Sequence, residues 1–216
     1  MKTNLSIAHD PTYWAFHSWR QFAQMKDRGR RVVIIPITTF SDWGADIALD
    51  FEEAFTLSLL RATLAGIDTP ERFLVLPPLR FNLRGHSECF FALDPETAHA
   101  TLAEVVQSVA RHGFRKVLFL NSNPVNADLV DCAGRDLRLS LGIQPFCINL
   151  ESIGLEWQTK EGRDHCCSLG KALADGHAAE PSVAPVLRNL AALFDEVAVF
   201  RELPNQGKVP CKHTFQ

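Results

Sequence analysis

A dense acidic run between residues 42 and 53 is the first place in this chain where residue types and spacing could support chemistry. It contains Asp42, Asp46, Asp50, Glu52 and Glu53. Such a run can hold a hard divalent cation, or supply a general acid and base if burial raises the pKa of one carboxyl. The structural alternative is that acids at a helix start cap the first turn and complement the helix dipole. We interpret Asp50 and Glu53 structurally and keep both interpretations open for the other three.

Histidines and cysteines offer a second kind of chemistry. Cys89 follows His86 by three residues, and a thiol beside an imidazole can become an activated nucleophile. His165, Cys166 and Cys167 are soft-metal ligand types, but no second pair of ligands at zinc-finger spacing accompanies them. Free cysteines are commonly small buried apolar residues, so we interpret both groups as structural. The six cysteines lack the spacing of a disulfide framework, which predicts reduced thiols.

The elements that must position these residues follow an alternating pattern. Short apolar runs alternate with stretches of helical periodicity, which is typical of βαβ units around a mainly parallel sheet. The predicted strands are 31–37, 73–76, 116–120 and 144–150, and the predicted helices are 50–65, 94–112, 127–141 and 182–194. Residues 77–93 and 151–176 are expected to be irregular, and 196–200 resembles a strand. The pattern predicts an α/β fold and a single domain over residues 1–216.

Composition and charge exclude several classes of function. The chain has 216 residues, 46% of them hydrophobic, and a net charge of −3, so no broad basic field is available for nucleic acid or an anionic membrane surface. Its apolar runs are far shorter than the ~20 residues of a membrane span. The first residues lack a signal-peptide pattern, which predicts a cytoplasmic location. A small molecule is therefore the expected partner.

Four segments, taken in order, resemble the creatininase (creatinine amidohydrolase) family. Residues 36–52, Pro-Ile-Thr-Thr-Phe-Ser-Asp-Trp-Gly-Ala-Asp-Ile-Ala-Leu-Asp-Phe-Glu, are similar in spacing to the family signature P-x-G-S-x-E-Q-H-G-x-H-L-P-L-x-T-D. Residues 76–79 resemble its P-P-L segment, 109–121 its L-x-x-H-G-F-x-x-V-V-x-x-N, and 176–180 its H-A-G-E. The resemblance covers about residues 28–185. It implies a three-layer α/β/α fold, a site at the carboxyl ends of the strands, and a homo-oligomer.

The resemblance also implies that most metal ligands have been replaced. Family members hold two divalent metals with residues of the first signature and of N-G-H-x-[GE]-N. In the first signature, Ser41 stands for the Glu, Trp43 for the first His and Glu52 for the closing Asp, while Asp46 stands for the second His. In the second signature, Asn123 replaces the His and Val125 the second ligand. A lone Glu cannot rebuild a two-metal site, so we predict no metal cofactor.

The residues that remain around these positions are polar enough to bind a ligand. Trp43 could fill the lost metal cavity or stack on a planar substrate. The asparagines and Ser41 would need a ligand or ordered water as partners. By resemblance, His177 with Glu180 lies near the substrate, where an imidazole can shuttle protons. The predicted substrate-binding residues are Ser41, Trp43, His86, Asn121, Asn123 and Asn126.

Three hypotheses of function follow. The first is an enzyme acting on an amide-type C–N bond of a small polar metabolite without the two metals, in hydrolysis or in the reverse condensation. Its predicted catalytic residues are Glu52, Asp46, His177 and Glu180, with hydrogen bonds from Ser41, Asn121 and Asn123 to a developing oxyanion. The second is a non-catalytic binding or scaffolding protein. The third is an amidohydrolase with one relocated metal, held by Asp42, Asp46 and Glu52 with His86 or His177.

Overall fold

A parallel sheet flanked by helices forms the centre of the computed structural model, which describes residues 11–44, 46–83 and 89–200. The strands are β1 (Val32–Thr38), β2 (Phe40–Ser41), β3 (Phe73–Val75), β4 (Leu79–Arg80), β5 (Asn82–Leu83), β6 (Cys89–Phe90), β7 (Ala92–Leu93), β8 (Lys116–Asn121) and β9 (Gln144–Asn149). The α-helices are α1 (Trp19–Gln24), α2 (Phe51–Ala65), α3 (Pro95–Arg111), α4 (Ala127–Leu141), α5 (Lys160–Ala174) and α6 (Ala184–Val199). Short 3₁₀ helices lie at Trp14–Phe16, Arg28–Arg30, Pro70–Arg72, Pro124–Asn126 and Leu150–Ile153.

The main sheet has the strand order β3-β1-β8-β9, and all of its pairs are parallel. β4 continues beside β1 beyond the end of β3. All seven residues of β1 are buried, as expected for a central strand that is covered on both faces. The predicted α/β fold with a mainly parallel sheet is confirmed.

Two separate hydrophobic cores show that the molecule has three layers. Val32 and Ile34 of β1 face a core built with α2, α5 and α6, while Val33 and Ile35 face a core built with α3 and α4. Successive side chains of a strand point to opposite faces, so one strand supplies both cores. Helices on both faces of a parallel sheet are the arrangement that βαβ crossovers produce. Among the described residues, no helix is both long and apolar enough to cross a bilayer.

Proline interrupts the sheet on one side of β1. Ile34 and Thr38 accept backbone hydrogen bonds from Leu76 and Phe81, so alternate residues of β1 from 34 to 38 face β3 and β4. Pro36 belongs to this set and has no N–H to donate. The neighbouring chain passes this point at Pro77 and Pro78, between the end of β3 and the start of β4. The residue of β1 that has no N–H donor therefore lies beside the point where the neighbouring strand is interrupted.

The sequence predictions for two segments were wrong. Residues 151–176 were expected to be irregular, but 160–174 form α5, whose buried residues Cys166, Leu169 and Ala172 recur every three positions. Residues 196–200 were expected to be a strand, but α6 continues to Val199. Its buried residues Leu190, Phe194, Val197 and Ala198 follow the helical period and not the alternation of a strand. The expected loop 77–93 also contains short strands.

The start of α5 depends on a side-chain cap. Thr159 Oγ1 accepts a hydrogen bond of 3.0 Å from the backbone N–H of Gly162. We expect Thr159→Ala to lower the free energy of unfolding by about 1 kcal/mol, because it leaves a helix N–H without a partner. Urea denaturation of the purified variant measures this. Thr159→Ser keeps the hydroxyl and should stay close to wild type, and equal stability of both variants would show that the cap contributes nothing.

Candidate functional site

Glu52, in the first turn of α2, is the centre of a hydrogen-bond network at the carboxyl ends of β1 and β8. Its side chain is fully buried. Glu52 Oε2 accepts hydrogen bonds from Thr39 Oγ1 at 2.7 Å, Trp43 Nε1 at 3.1 Å and Asn123 Nδ2 at 3.4 Å. Glu52 Oε1 is bonded to the backbone N–H of Thr39 at 3.2 Å and to the hydroxyl of Ser122. Both carboxyl oxygens are thus held by neutral groups of the protein.

The charge environment of Glu52 differs from that of its neighbour Glu53. Burial raises the pKa of Glu52 above its ordinary value, although hydrogen bonds from Ser122, Thr39 and Trp43 act in the opposite direction. Glu53 instead receives two bonds from the Arg80 guanidinium, from Nε at 2.6 Å and from Nη2 at 2.8 Å. A bidentate pair of this kind compensates a buried carboxylate well. Of the two adjacent acids, Glu53 is therefore balanced by a cation, whereas the hydrogen bonds to Glu52 come from neutral groups.

The hydroxyl of Ser122 has two acceptors within reach. Ser122 Oγ is 3.0 Å from the backbone oxygen of Ile37 and is also bonded to Glu52 Oε1. A hydroxyl has one hydrogen to donate, so it serves one of these two oxygens at a time. When Ser122 donates to Glu52 it stabilises the carboxylate, and this bond therefore opposes the effect of burial on the pKa of Glu52.

The predicted asparagines join the network with their amide groups already engaged. Asn121 Nδ2 donates to Asn123 O and to Asn149 Oδ1, both at 2.8 Å. Asn123 Nδ2 donates to Thr39 Oγ1 at 3.1 Å as well as to Glu52. An amide nitrogen has two hydrogens about 120° apart, and Asn121 uses both. The two acceptors of Asn123 are only 2.7 Å from each other and share one hydrogen, which leaves Asn123 one further N–H. Asn126 lies to one side and donates to Phe81 O at 3.0 Å.

Aromatic rings cover one side of the network. The ring of Trp43, which is partly exposed, lies 6.0 Å from that of Trp157, with an angle of 31° between their planes. Trp157 is buried and donates from Nε1 to Ser122 O at 3.0 Å. It also contacts Phe51 and Phe55 edge-on. Trp43 is therefore part of the network, because its indole donates to Glu52. Trp157 fixes the position of the segment that carries Ser122.

Several predicted residues lie apart from Glu52. Asp46 is exposed in a cleft between α2 and α5. His177 Nδ1 and Glu180 Oε1 are 2.9 Å apart in an exposed ion pair, and no hydrogen bond of the described residues links either of them to Glu52. His86 lies outside the described residues, as does the side chain of Cys89. Ser41 belongs to the network, with its hydroxyl 2.9 Å from Thr39 Oγ1.

Sequence reasoning missed three residues of the network: Thr39, Ser122 and Trp157. The first two follow strands whose register pairs Ile37 with Asn121, which brings the residues after them together. The sequence signal for both residues was a polar end to each of two buried apolar runs, Thr38-Thr39 at the first and Asn121-Ser122-Asn123 at the second. The sequence carried no such signal for Trp157, because this residue lies in a stretch whose helix was not predicted.

Comparison with known proteins shows the family of the chain. The family model described as creatinine amidohydrolase, or creatininase, matches residues 15–198, most of the chain. The chain belongs to the creatininase family. A creatinine amidohydrolase of Pseudomonas putida is 22% identical over 141 residues, which cover 60% of this chain and 52% of that protein. The chain thus spans about half the length of this relative.

Solved creatininase-family structures share the fold. A Bacteroides fragilis protein described as a creatinine amidohydrolase is similar with a TM-score of 0.64 and 16% identity, over 89% of this chain and 98% of that one. A structure described as creatininase with Mn has a TM-score of 0.61 and 19% identity, over 75% and 72% of the two chains. At these identities the likeness establishes the fold alone.

The residues at the Glu52 network do not fit a pair of divalent metals. Such a pair needs several carboxylate, imidazole or thiolate ligands. Among the residues that the structure describes, no group of three or more His, Cys, Asp or Glu is placed to hold a metal ion. The groups that bond the Glu52 carboxyl are hydroxyl, amide, indole and backbone N–H donors. Donors of this kind satisfy a carboxyl group, but an N–H is not a metal ligand.

Proposed function

We propose that this creatininase-family protein acts on an amide-type C–N bond of a small polar metabolite, with Glu52 as its acid–base group and without the two-metal centre. The observation that carries the proposal is the buried carboxyl of Glu52, which is hydrogen-bonded only to neutral donors in the described structure. Perturbed carboxyls in such surroundings are frequent at active sites. The carboxyl ends of parallel strands are also where open α/β sheets bind ligands.

The energetic cost of Glu52 supports a functional role. A buried acid without a cation is unfavourable in its charged form. Glu53, one residue further on, avoids this cost through Arg80. Glu52 carries the cost while it accepts from five neutral donors, as expected of an acid with a functional role.

A short chain of hydroxyls connects Glu52 to Ser41. Glu52 Oε2 is 2.7 Å from Thr39 Oγ1, which is 2.9 Å from Ser41 Oγ. Each contact is short enough to pass a proton. In hydrolysis of an amide, the C–N bond breaks, the hydroxyl of water bonds to the carbonyl carbon, and the leaving nitrogen gains a proton. Protonated Glu52 supplies that proton and recovers one from the attacking water, and the Thr39 and Ser41 hydroxyls provide the route in both directions.

Turnover by a Glu52→Gln variant tests the proposal. Purified, untagged protein is incubated with creatinine and with a panel of small cyclic and linear amides, with and without EDTA. We expect turnover of at least one amide that EDTA does not change and that Glu52→Gln lowers at least 100-fold, the usual scale of acid–base catalysis. Glu53→Gln is the matched control, because it removes a neighbouring acid whose partner is Arg80. Equal losses in both variants, or complete loss with EDTA, would overturn the proposal.

A non-catalytic binding protein is the second candidate, and the engaged amide of Asn121 favours it. Both of its N–H groups are bonded within the protein, so neither can stabilise an oxyanion in this conformation. A ligand that raises the melting temperature but is not turned over would support this candidate. The homo-oligomer implied by the family and the cytoplasmic location stay predictions.

A further inference from the structure

A basic cleft lies at the amino-terminal edge of the sheet, opposite the Glu52 network. It has a volume of about 1010 Å³ and includes the first residues of β8 and β9. The charged residues that line it are Lys26, Asp27, Arg30, Arg31, Glu71, Arg72, Arg115 and Lys116. Six cations thus face two acids, in a chain whose net charge is −3.

Three of these cations have structural partners. Lys116 Nζ is buried and donates to Val197 O and Ala198 O at the end of α6, at 3.2 and 2.8 Å. Arg31 donates to Glu71 O at 2.5 Å. Arg115 donates to Ala110 O at 3.5 Å. Basic residues that neutralise backbone carbonyls need no ligand to explain them.

The other three cations have no such explanation. Lys26, Arg30 and Arg72 are exposed, and their side chains form no hydrogen bond or ion pair with another residue that the structure describes. The opposite wall of the cleft is apolar, with Val199 and Phe200 exposed by 63% and 43%. The cleft therefore combines unused cationic donors with an apolar surface.

We propose that this cleft binds a small diphosphate-containing metabolite. Two guanidinium groups can each bond two phosphate oxygens in a planar, bidentate way, and an ammonium adds a third positive charge. A diphosphate carries enough negative charge to neutralise three cations, whereas a single carboxylate does not. The apolar wall suits an organic group attached to the phosphates. A concave cleft of this size fits a small molecule.

Calorimetric titration with inorganic pyrophosphate tests the proposal on the full chain. We expect binding with one site per chain, weakened at least tenfold in the double variant Arg30→Gln, Arg72→Gln. The matched control is Arg61→Gln, Arg188→Gln, which removes two exposed arginines outside the cleft and should bind as wild type. Absence of pyrophosphate binding, or equal weakening in both double variants, would overturn the proposal.

Two further measurements separate this site from other possibilities. Glu52→Gln should bind pyrophosphate as wild type does, because the cleft and the network lie at opposite edges of the sheet, so the two proposals can fail independently. Duplex DNA and an acidic peptide are titrated in parallel. If either binds through the cleft while pyrophosphate does not, the site recognises a macromolecule and the proposal is wrong.

Discussion

The stability of Glu52→Gln relative to the wild type is expected to increase as the pH rises above the ordinary glutamate pKa. The unfolded chain releases this proton near the ordinary glutamate pKa of 4.5, whereas burial raises the pKa in the folded protein. Between these two values the native state holds one more proton than the unfolded state. The free energy of unfolding of the wild type then falls by about 1.4 kcal/mol per pH unit, and glutamine removes this loss.

Urea denaturation of both proteins from pH 4 to pH 9 measures the effect. Near pH 4 the variant should be the less stable of the two, because its amide nitrogen cannot accept from the N–H of Thr39 or of Trp43, whichever of them it faces. Above the pKa of Glu52 in the folded protein, the difference in the free energy of unfolding between the two proteins should stop growing. A difference that does not depend on pH, or a wild type that gains stability relative to the variant, would mean that the neutral donors stabilise the carboxylate and that Glu52 is ionised.

The neighbouring acid supplies the contrast. Glu53→Gln weakens the bidentate pair with Arg80 and leaves a guanidinium with fewer partners. We expect it to lower the free energy of unfolding at pH 7 by about 1–3 kcal/mol. At pH 7 Glu53→Gln should therefore be the less stable of the two glutamate variants. The reverse order would show that their surroundings do not differ in the way described.

Trp157→Ala is expected to have the largest effect on stability, a loss of about 4 kcal/mol. The indole is 1% exposed, packs on Phe51 and Phe55, and donates to Ser122 O. Its removal leaves a cavity and an unpaired carbonyl. Trp157→Phe keeps much of the packing but loses the N–H donor, and should cost about 1–3 kcal/mol.

Trp19 provides the control for this series, because its side chain is 75% exposed. Trp19→Ala should change stability by no more than about 0.5 kcal/mol. Chemical denaturation of the three variants beside wild type gives the ranking. If Trp157→Ala is no less stable than Trp19→Ala, the packing around Trp157 does not contribute to the core as described.

The sequence predicted the sheet well because its strands carry a simple signal. β1 and β8 are continuous apolar runs bounded by polar residues, and this pattern is typical of a parallel strand that is buried on both faces. α5 was harder, since it contains Gly162 and Gly170 and its apolar stripe is narrow. The end of α6 reads Glu-Val-Ala-Val-Phe, a β-rich composition that packing against the sheet overrides.

Resemblance selected positions that the structure brings together, but it did not indicate which groups they bond. Ser41, Trp43, Glu52, Asn121 and Asn123 belong to one hydrogen-bond network, and the roles predicted for them stay predictions. Which acceptor each of their donors bonds depends on the distances between strands, and a sequence pattern does not contain those distances. The roles predicted for Asp46, His177 and Glu180 stay predictions, and their side chains lie on the surface.

The break in the sheet beside Pro36 has a consequence for access to the buried carboxyl. On this side of β1, only the pairs of Ile37 with Leu79 and of Thr38 with Arg80 lie beyond the break. Their separation would leave the pairs of β1 with β3 and with β8 intact, but it would break the bonds between Arg80 and Glu53 and uncover Phe81, which is buried in the core built with α3 and α4. Solvent that approaches Thr39 and Glu52 from this corner must first break these contacts, which slows the exchange of the Glu52 proton with water.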